Sequence, residues 1–137
     1  PGLLNIYRFF KESRGLEEPP ALSAQFAAAD DPSAVISRAA LAGEAEICVK
    51  SLDLFVSIYG AEAGNLALRA KSVRGLYIGG GIAPKILAKL KDGSFMGGFI
   101  DKGRYRELLA AIPVQVVLND QAALRGAAYY AAFLASD

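Results

Sequence analysis

The chain has 137 residues, 53% of them apolar and 21% charged, which provides for one domain with a real core, is too short for two, and does not suit disorder. Fifteen basic residues, scattered along the chain, against fourteen acidic ones leave a net charge of +1, so the footprint of a nucleic-acid binder is missing and anionic membranes are disfavoured. One cysteine and no histidine exclude an internal disulfide, a His-ligated metal, a His general base and a Ser-His-Asp triad within the chain.

No segment reaches the roughly 18 uncharged apolar residues of a membrane span, and Pro1-Gly2-Leu3 does not open a secretory signal, so a reduced cytoplasm is the expected location. Residues 3–13 place Leu3, Ile6, Tyr7 and Phe10 at helical spacing with Arg8, Lys11 and Glu12 outside, an amphipathic helix. Residues 14–33 hold three of the six prolines and read as a connection with one short helical turn around Ser23 to Ala29. Asp31 before Pro32 is an N-cap followed by a first-turn proline, which predicts a helix over 32–42 stopped by Gly43.

From Glu44 to Lys71 there is no proline, and Ile47, Leu52, Phe55, Val56, Tyr59, Ala63, Leu66, Ala67 and Ala70 keep an apolar face, predicting one long helix. Gly60 and Gly64 stack on it, a spacing that admits another backbone and predicts tight helix packing. Cys48 beside Ile47 and Val49 is expected to be a small core residue. Strands are predicted at 75–80 and 114–119, with helical patterns at 83–91 and 104–111 between them. A last helix, capped by Asp120 and running to Ser136, carries small residues around Gly126 on one face and Leu124, Tyr129, Phe133 and Leu134 on the other.

Strand, helical crossover and second strand make the parallel arrangement of an α/β protein. Two strands are few for a stable parallel sheet, so either further strands are hidden in the segments read as helical or the chain forms part of a larger sheet, and the second is favoured. Gly79-Gly80-Gly81 ends the first strand and opens a helix, and the missing side chains allow either a tight packed turn or the approach of a ligand. The run matches neither a P-loop nor the dinucleotide fingerprint. Ala122, Ala123 and Gly126 give the second strand-to-helix junction the same smallness, and both junctions would face one crevice. Lys85, Lys89 and Lys91 read as a solvated face, with Lys85 nearest the turn and best placed for a phosphate. Asp53, Glu62, Asp101 and Glu107 read as surface or salt-bridged carboxylates.

The stretches "GLLNIYRF", "DLFVSIYGAEAGNLAL", "GLYIGGGIAPKIL", "FIDKGRYRELLAAIPVQVVLND" and "ALRGAA" together resemble the C-terminal portion of bacterial-type glucokinases, in the sugar kinase, heat-shock protein and actin superfamily. The resemblance runs from Pro1 to about Ala132 in family order and is weakest over Arg14 to Asp31. It implies a helix-rich, partial ribonuclease H-like (actin-like ATPase) α/β fold: a single unit over 1–137, helical over 1–71 and nucleotide-side over 72–137. It also implies transfer of the ATP γ-phosphoryl group to the 6-hydroxyl of glucose with Mg²⁺, at the entry to glycolysis, by a homodimer.

Carried over residue by residue, the family's adenosine motif falls on Gly79, Gly80, Gly81, Ile82 and Ala83, and its last helix-entry motif on Ala123, Leu124 and Gly126. On this resemblance the family's two phosphate loops, its base-supplying Asn-Asp pair and its Glu-x-x-His sugar segment have no counterpart in the chain. The resemblance therefore implies a fragment of a kinase more than twice as long, inactive alone, with no catalytic residue and no tightly bound cofactor of its own. Two other readings stay open: a sugar-responsive regulator on the same superfamily fold, and a dimerisation module using Gly60 and Gly64.

Overall fold

The computed structural model describes residues 2–135, and its central element is α4 (Glu46–Ala70), the long helix expected from the sequence. The helix ends where Lys71 turns left-handed (φ 52°) and the Ser72 amide donates to the Ala67 carbonyl at 3.0 Å, supplying a partner to a carbonyl the helix end would orphan. Its buried residues include Ile47, Cys48, Leu52, Val56 and Ala67, and α1 (Gly2–Arg14), α3 (Pro32–Leu41) and α7 (Ser94–Ile100) pack against it. The one buried hydroxyl in this face, Ser51, donates to the Ile47 carbonyl at 2.6 Å, so its burial leaves no polar group unmatched.

The α7 helix occupies a stretch for which the sequence predicts no element. Two of its seven residues are glycine, which lowers helix propensity and hides the period, but Phe95 and Phe99 are fully buried. Gly60 and Gly64 find their purpose here. A Cβ on Gly60 would lie 2.0 Å from the Phe95 carbonyl oxygen, one on Gly64 2.4 Å from that of Phe99, and, reciprocally, one on Gly98 2.3 Å from that of Ser57. The tight packing expected of the two glycines is thus an intramolecular backbone contact. The Tyr59 ring, set edge-on to Phe95 at 5.6 Å, closes its flank.

Asp31 caps α3 as expected, accepting the Ser33 N–H at 3.0 Å with Pro32 in the first turn, and Gly43 follows with φ 68°. The proline-rich connection before it contains more helix than the single turn predicted: α2 (Pro20–Ala28) starts at Pro20, whose missing N–H is harmless there. Glu18 anchors this segment, accepting from Tyr7 Oη at 2.6 Å and Ser23 Oγ at 2.5 Å and pairing with Lys11 Nζ at 3.1 Å. Burial pushes the Glu18 carboxyl up, but the Ser23, Tyr7 and Lys11 contacts together outweigh it and hold the group below the ordinary carboxylate range.

β1 (Leu76–Ile78) and β2 (Val114–Val116) pair in parallel, with Leu76 opposite Val114, Tyr77 opposite Gln115 and Ile78 opposite Val116. Both are shorter than the predicted 75–80 and 114–119, because the chain leaves extended geometry at the glycines after Ile78 and keeps only one bond beyond Val116, from the Val117 amide to the Ile78 carbonyl at 2.9 Å. The helix expected at 83–91 is two short ones, α5 (Ile82–Lys85) and α6 (Leu87–Leu90), broken where Ile86 leaves helical geometry (φ −110°, ψ 23°). The pattern at 104–111 becomes a 3₁₀ turn, Gly103–Tyr105, followed by α8 (Arg106–Ala110).

Two further expectations are corrected. Lys89 is not part of a solvated face: its ammonium pairs with Asp92 at 2.5 Å and with Asp53 of α4, tying α6 to the long helix. Asp120 does not cap the last helix; Asn119 Oδ1 accepts the Gln121 N–H at 3.0 Å instead, and α9 (Ala122–Leu134) begins without a side-chain cap. The bulky face of α9 buries nothing: Leu124, Tyr129, Phe133 and Leu134 are all more than half exposed. Ser136, where that helix was expected to end, lies outside the described residues.

Gly60→Ala is expected to destabilise the chain by about 3 kcal/mol, read as a shift in denaturant midpoint, because its new methyl meets backbone. Gly97→Ala, in the neighbouring helix but facing open space, should be neutral or stabilising by up to about 1 kcal/mol; equal effects would contradict the contact.

The lowered Glu18 pKa sets a pH dependence. Its contribution is complete above the unfolded carboxylate value of about 4.3 and is lost as the pH falls through the lower folded value. Denaturant midpoints measured from pH 6 down to pH 3 should therefore fall less steeply in Glu18→Gln than in the parent chain.

Candidate functional site

The parallel pairing sets the carboxyl ends of β1 and β2 side by side, so the two small-residue junctions named from the sequence leave the sheet at the same end. That is the end of an α/β sheet at which ligands bind. At the first junction, a Cβ added to Gly79, Gly80 or Gly81 would meet no atom within 4 Å. Packing therefore requires none of the three. Backbone geometry requires one: Gly80 has φ 104°, a region that other residues rarely adopt, whereas Gly81 has φ −79°. Ile82 follows half-buried, and Ala83 is fully buried beneath the turn.

At the second junction, residues 117–121 carry the chain from β2 to α9, and Ala123, Leu124 and Gly126 all lie exposed, Gly126 with open space where a Cβ would stand. The α9 helix is 13 residues long, and at its start the Ala122 N–H donates to the Asn119 carbonyl at 3.2 Å and the Arg125 N–H to the Gln121 carbonyl at 2.9 Å.

A hollow of about 200 Å³ lies beside the glycine turn. Asp31, Ser33 and Ser37 line it from the start of α3, and Gly81, Ile82 and Lys85 from the other side. Sequence reasoning assigned Asp31 only its capping role and passed over Ser33 and Ser37. Their i, i+4 spacing puts them on one helix face, but nothing in the sequence brings that face to a turn more than forty residues later.

The remaining candidates lack chemistry of their own. A larger hollow of about 400 Å³ beneath the sheet is lined mainly by apolar side chains such as Leu90, Phe95, Val114 and Val116. Burial, together with the Glu18 and Glu44 carboxylates, pushes the Cys48 thiol up to about 11, so it remains a protonated core residue at neutral pH. Asp53 is committed to Lys89, and Glu62 lies by Asn65 and Arg69. Among the described residues no group of three or more His, Cys, Asp or Glu side chains is arranged to hold a metal, and no helix is long and apolar enough to cross a membrane.

A family model described as Glucokinase matches residues 1–133. The chain is 43% identical over 143 aligned residues to the glucokinase of Nostoc sp., an alignment covering 97% of this chain and 42% of that protein. It is 54% identical over 102 residues to the glucokinase of Synechocystis sp., covering 74% of this chain and 29% of that one. Among solved structures, a crystal structure of glucokinase from an Antarctic psychrotroph matches with a TM-score of 0.72 at 30% identity, over 88% of this chain and 34% of that chain. The chain thus spans about two fifths of the length of the Nostoc relative. The expected fold, a helix-rich partial actin-like ATPase unit with a small parallel sheet, is borne out.

Substitution separates the two demands on the glycine turn. Gly80→Ala should cost about 1 to 2 kcal/mol in thermal or denaturant unfolding, whereas Gly79→Ala and Gly81→Ala should leave stability within about 0.5 kcal/mol. Comparable losses at all three would mean that the turn is packed.

Proposed function

The chain belongs to the glucokinase family, and on that premise we propose that it is the nucleotide-side, C-terminal part of an ATP-dependent kinase that phosphorylates glucose at its 6-hydroxyl. The observation that carries the reading is the glycine turn: three glycines at the carboxyl end of a parallel strand, none needed for packing. ATP supplies the phosphoryl group when bound.

What this chain's residues do is hold the adenosine. Gly79, Gly80 and Gly81 let the nucleotide approach the backbone, Ile82 offers an apolar contact, and Ala123, Leu124 and Gly126 border the crevice from the other junction. Open space at the glycines fits such an approach. Lys85 is exposed and without an ion pair among the described residues, available for the anionic part of the ligand. Mg²⁺ does not fit the residues here, because no set of ligating side chains is assembled among them; in this reading its ligands come with the phosphates and from the rest of the kinase.

Phosphoryl transfer of this kind depends on positioning and charge stabilisation, and one side of a cleft cannot align ATP with glucose. The chain alone is therefore inactive in this reading, and residual nucleotide affinity is weak. Homodimerisation, a cytoplasmic location and a place at the entry to glycolysis belong to the same proposal. The alternative of a dimerisation module built on Gly60 and Gly64 loses its feature, since α7 already covers both glycines.

The test joins this chain to the upstream part of the Nostoc relative and assays glucose-dependent ADP release. The chimera should turn over and the 137-residue chain should not. Turnover by the lone chain, or none by a chimera whose circular dichroism and cooperative melting show it folded, would overturn the proposal.

A further inference from the structure

We propose that the hollow between the C-terminal end of α4 and α8 binds a small amphipathic carboxylate, an apolar chain or ring with one anionic head, and that Lys71, Arg69 and Ser72 hold the head. This site is separate from the glycine turn. Lys71 to Val73 lead into β1 and Ile112 leads into β2, so the hollow lies at the amino ends of the strands, the opposite end of the sheet.

The lining sets the apolar half of the ligand. The hollow has a volume of about 530 Å³, within the range of roughly 300 to 1,000 Å³ of small-molecule sites. Ala67 and Ile112 line it as buried side chains, whereas Val73, Leu108 and Tyr105 line it while 61%, 46% and 42% exposed. An apolar guest would take all three from water at once.

Charge sets the other half. Among the described residues no acidic side chain lines the hollow, while Arg69 and Lys71 do. Lys71 has no ion pair among the described residues. Arg69 lies 3.9 Å from Glu62 with both side chains more than half exposed, a pairing that water screens and a bound carboxylate can replace. The Arg104 guanidinium sits over the Tyr105 ring, 5.0 Å from its centroid, and adds a third cation beside the hollow. Ser72 is half-buried; its N–H donates to the Ala67 carbonyl, and its hydroxyl, with no partner among the described residues, is left to donate to the head. Residues 67–74 and 104–112 together hold five basic residues against one acidic, in a chain of net charge +1. A cation would be repelled here, and a polyphosphate would leave the apolar lining bare.

The backbone supplies an independent observation. Lys71 is the one non-glycine residue with positive φ among the described residues, at 52°, and it stands just past a helix end, where glycine is the usual occupant. A lysine is less stable than glycine in that conformation. The ammonium beside the hollow gives this outlier a use.

The experiment titrates the isotopically labelled 137-residue chain with octanoate, 1-octanol and acetate in separate series, following backbone amide shifts. Octanoate should move Ser72, Val73 and Leu108 saturably, with a Kd on the order of 1 mM, and leave Gly79 to Gly81 in place. Acetate should move none of them, and 1-octanol should bind about fivefold more weakly or worse. Lys71→Gly should raise the melting temperature, because glycine suits the left-handed turn, and yet weaken octanoate about tenfold. A lysine with a purely structural role would give the first effect without the second. No saturable shift with octanoate, acetate or 1-octanol acting as strongly as octanoate, or unchanged octanoate affinity in Lys71→Gly would each overturn the inference. Equal shifts at the glycine turn would show non-specific association and overturn it as well.

Discussion

The structure depends on one contact, the backbone of α7 lying directly on the backbone of α4. At Gly60, Gly64 and Gly98 an added methyl would fall well inside the contact distance of a facing carbonyl oxygen, an approach open only to glycine. Three glycines within helices are unfavourable by about 1 kcal/mol each. The contact offsets this by drawing Phe95 and Phe99 fully into the core against the long helix. From α7 the chain runs through α8 to β2, and from the far end of α4 it enters β1, so this junction sets where the two strands meet. The glycine turn inherits its position from a contact to which it contributes nothing.

The molecule thus divides its glycines by use. Those at 60, 64 and 98 are filled by the chain's own backbone; those at 79 to 81 face open space. The sequence already reads Gly60 and Gly64 as close helix packing but leaves the run at 79 to 81 open between a packed turn and a ligand, and the empty space around that run decides against packing. The same division separates the helices. α1, α3, α4 and α7 bury their apolar faces on one another, while α9 carries Leu124, Tyr129, Tyr130, Phe133 and Leu134 into solvent. An apolar helix face left in water is unfavourable.

Most of the architecture was legible. Apolar periodicity marked α1, α3, α4 and α9, and the Asp31-Pro32 pair fixed the start of α3, because these signals are local. The α7 helix was not legible, since Gly97 and Gly98 suppress the propensity on which such reading depends and its helicity comes from burial of Phe95 and Phe99. Lys89 was misread for a similar reason: its partner Asp53 is brought to it by tertiary packing. At the site, the glycine turn announced itself through strand, glycines and helix in series. Ser33 and Ser37 did not, because a helix face carries no record of the turn it will meet.

Native-state hydrogen exchange measured amide by amide tests the central claim most directly, namely that the α4–α7 contact carries the stability of this chain while the glycine turn and α9 stand outside it. The account predicts the slowest exchange at α4 and α7, near the global unfolding limit, and exchange across α9 faster by orders of magnitude. Protection of α9 equal to that of α4 would contradict it.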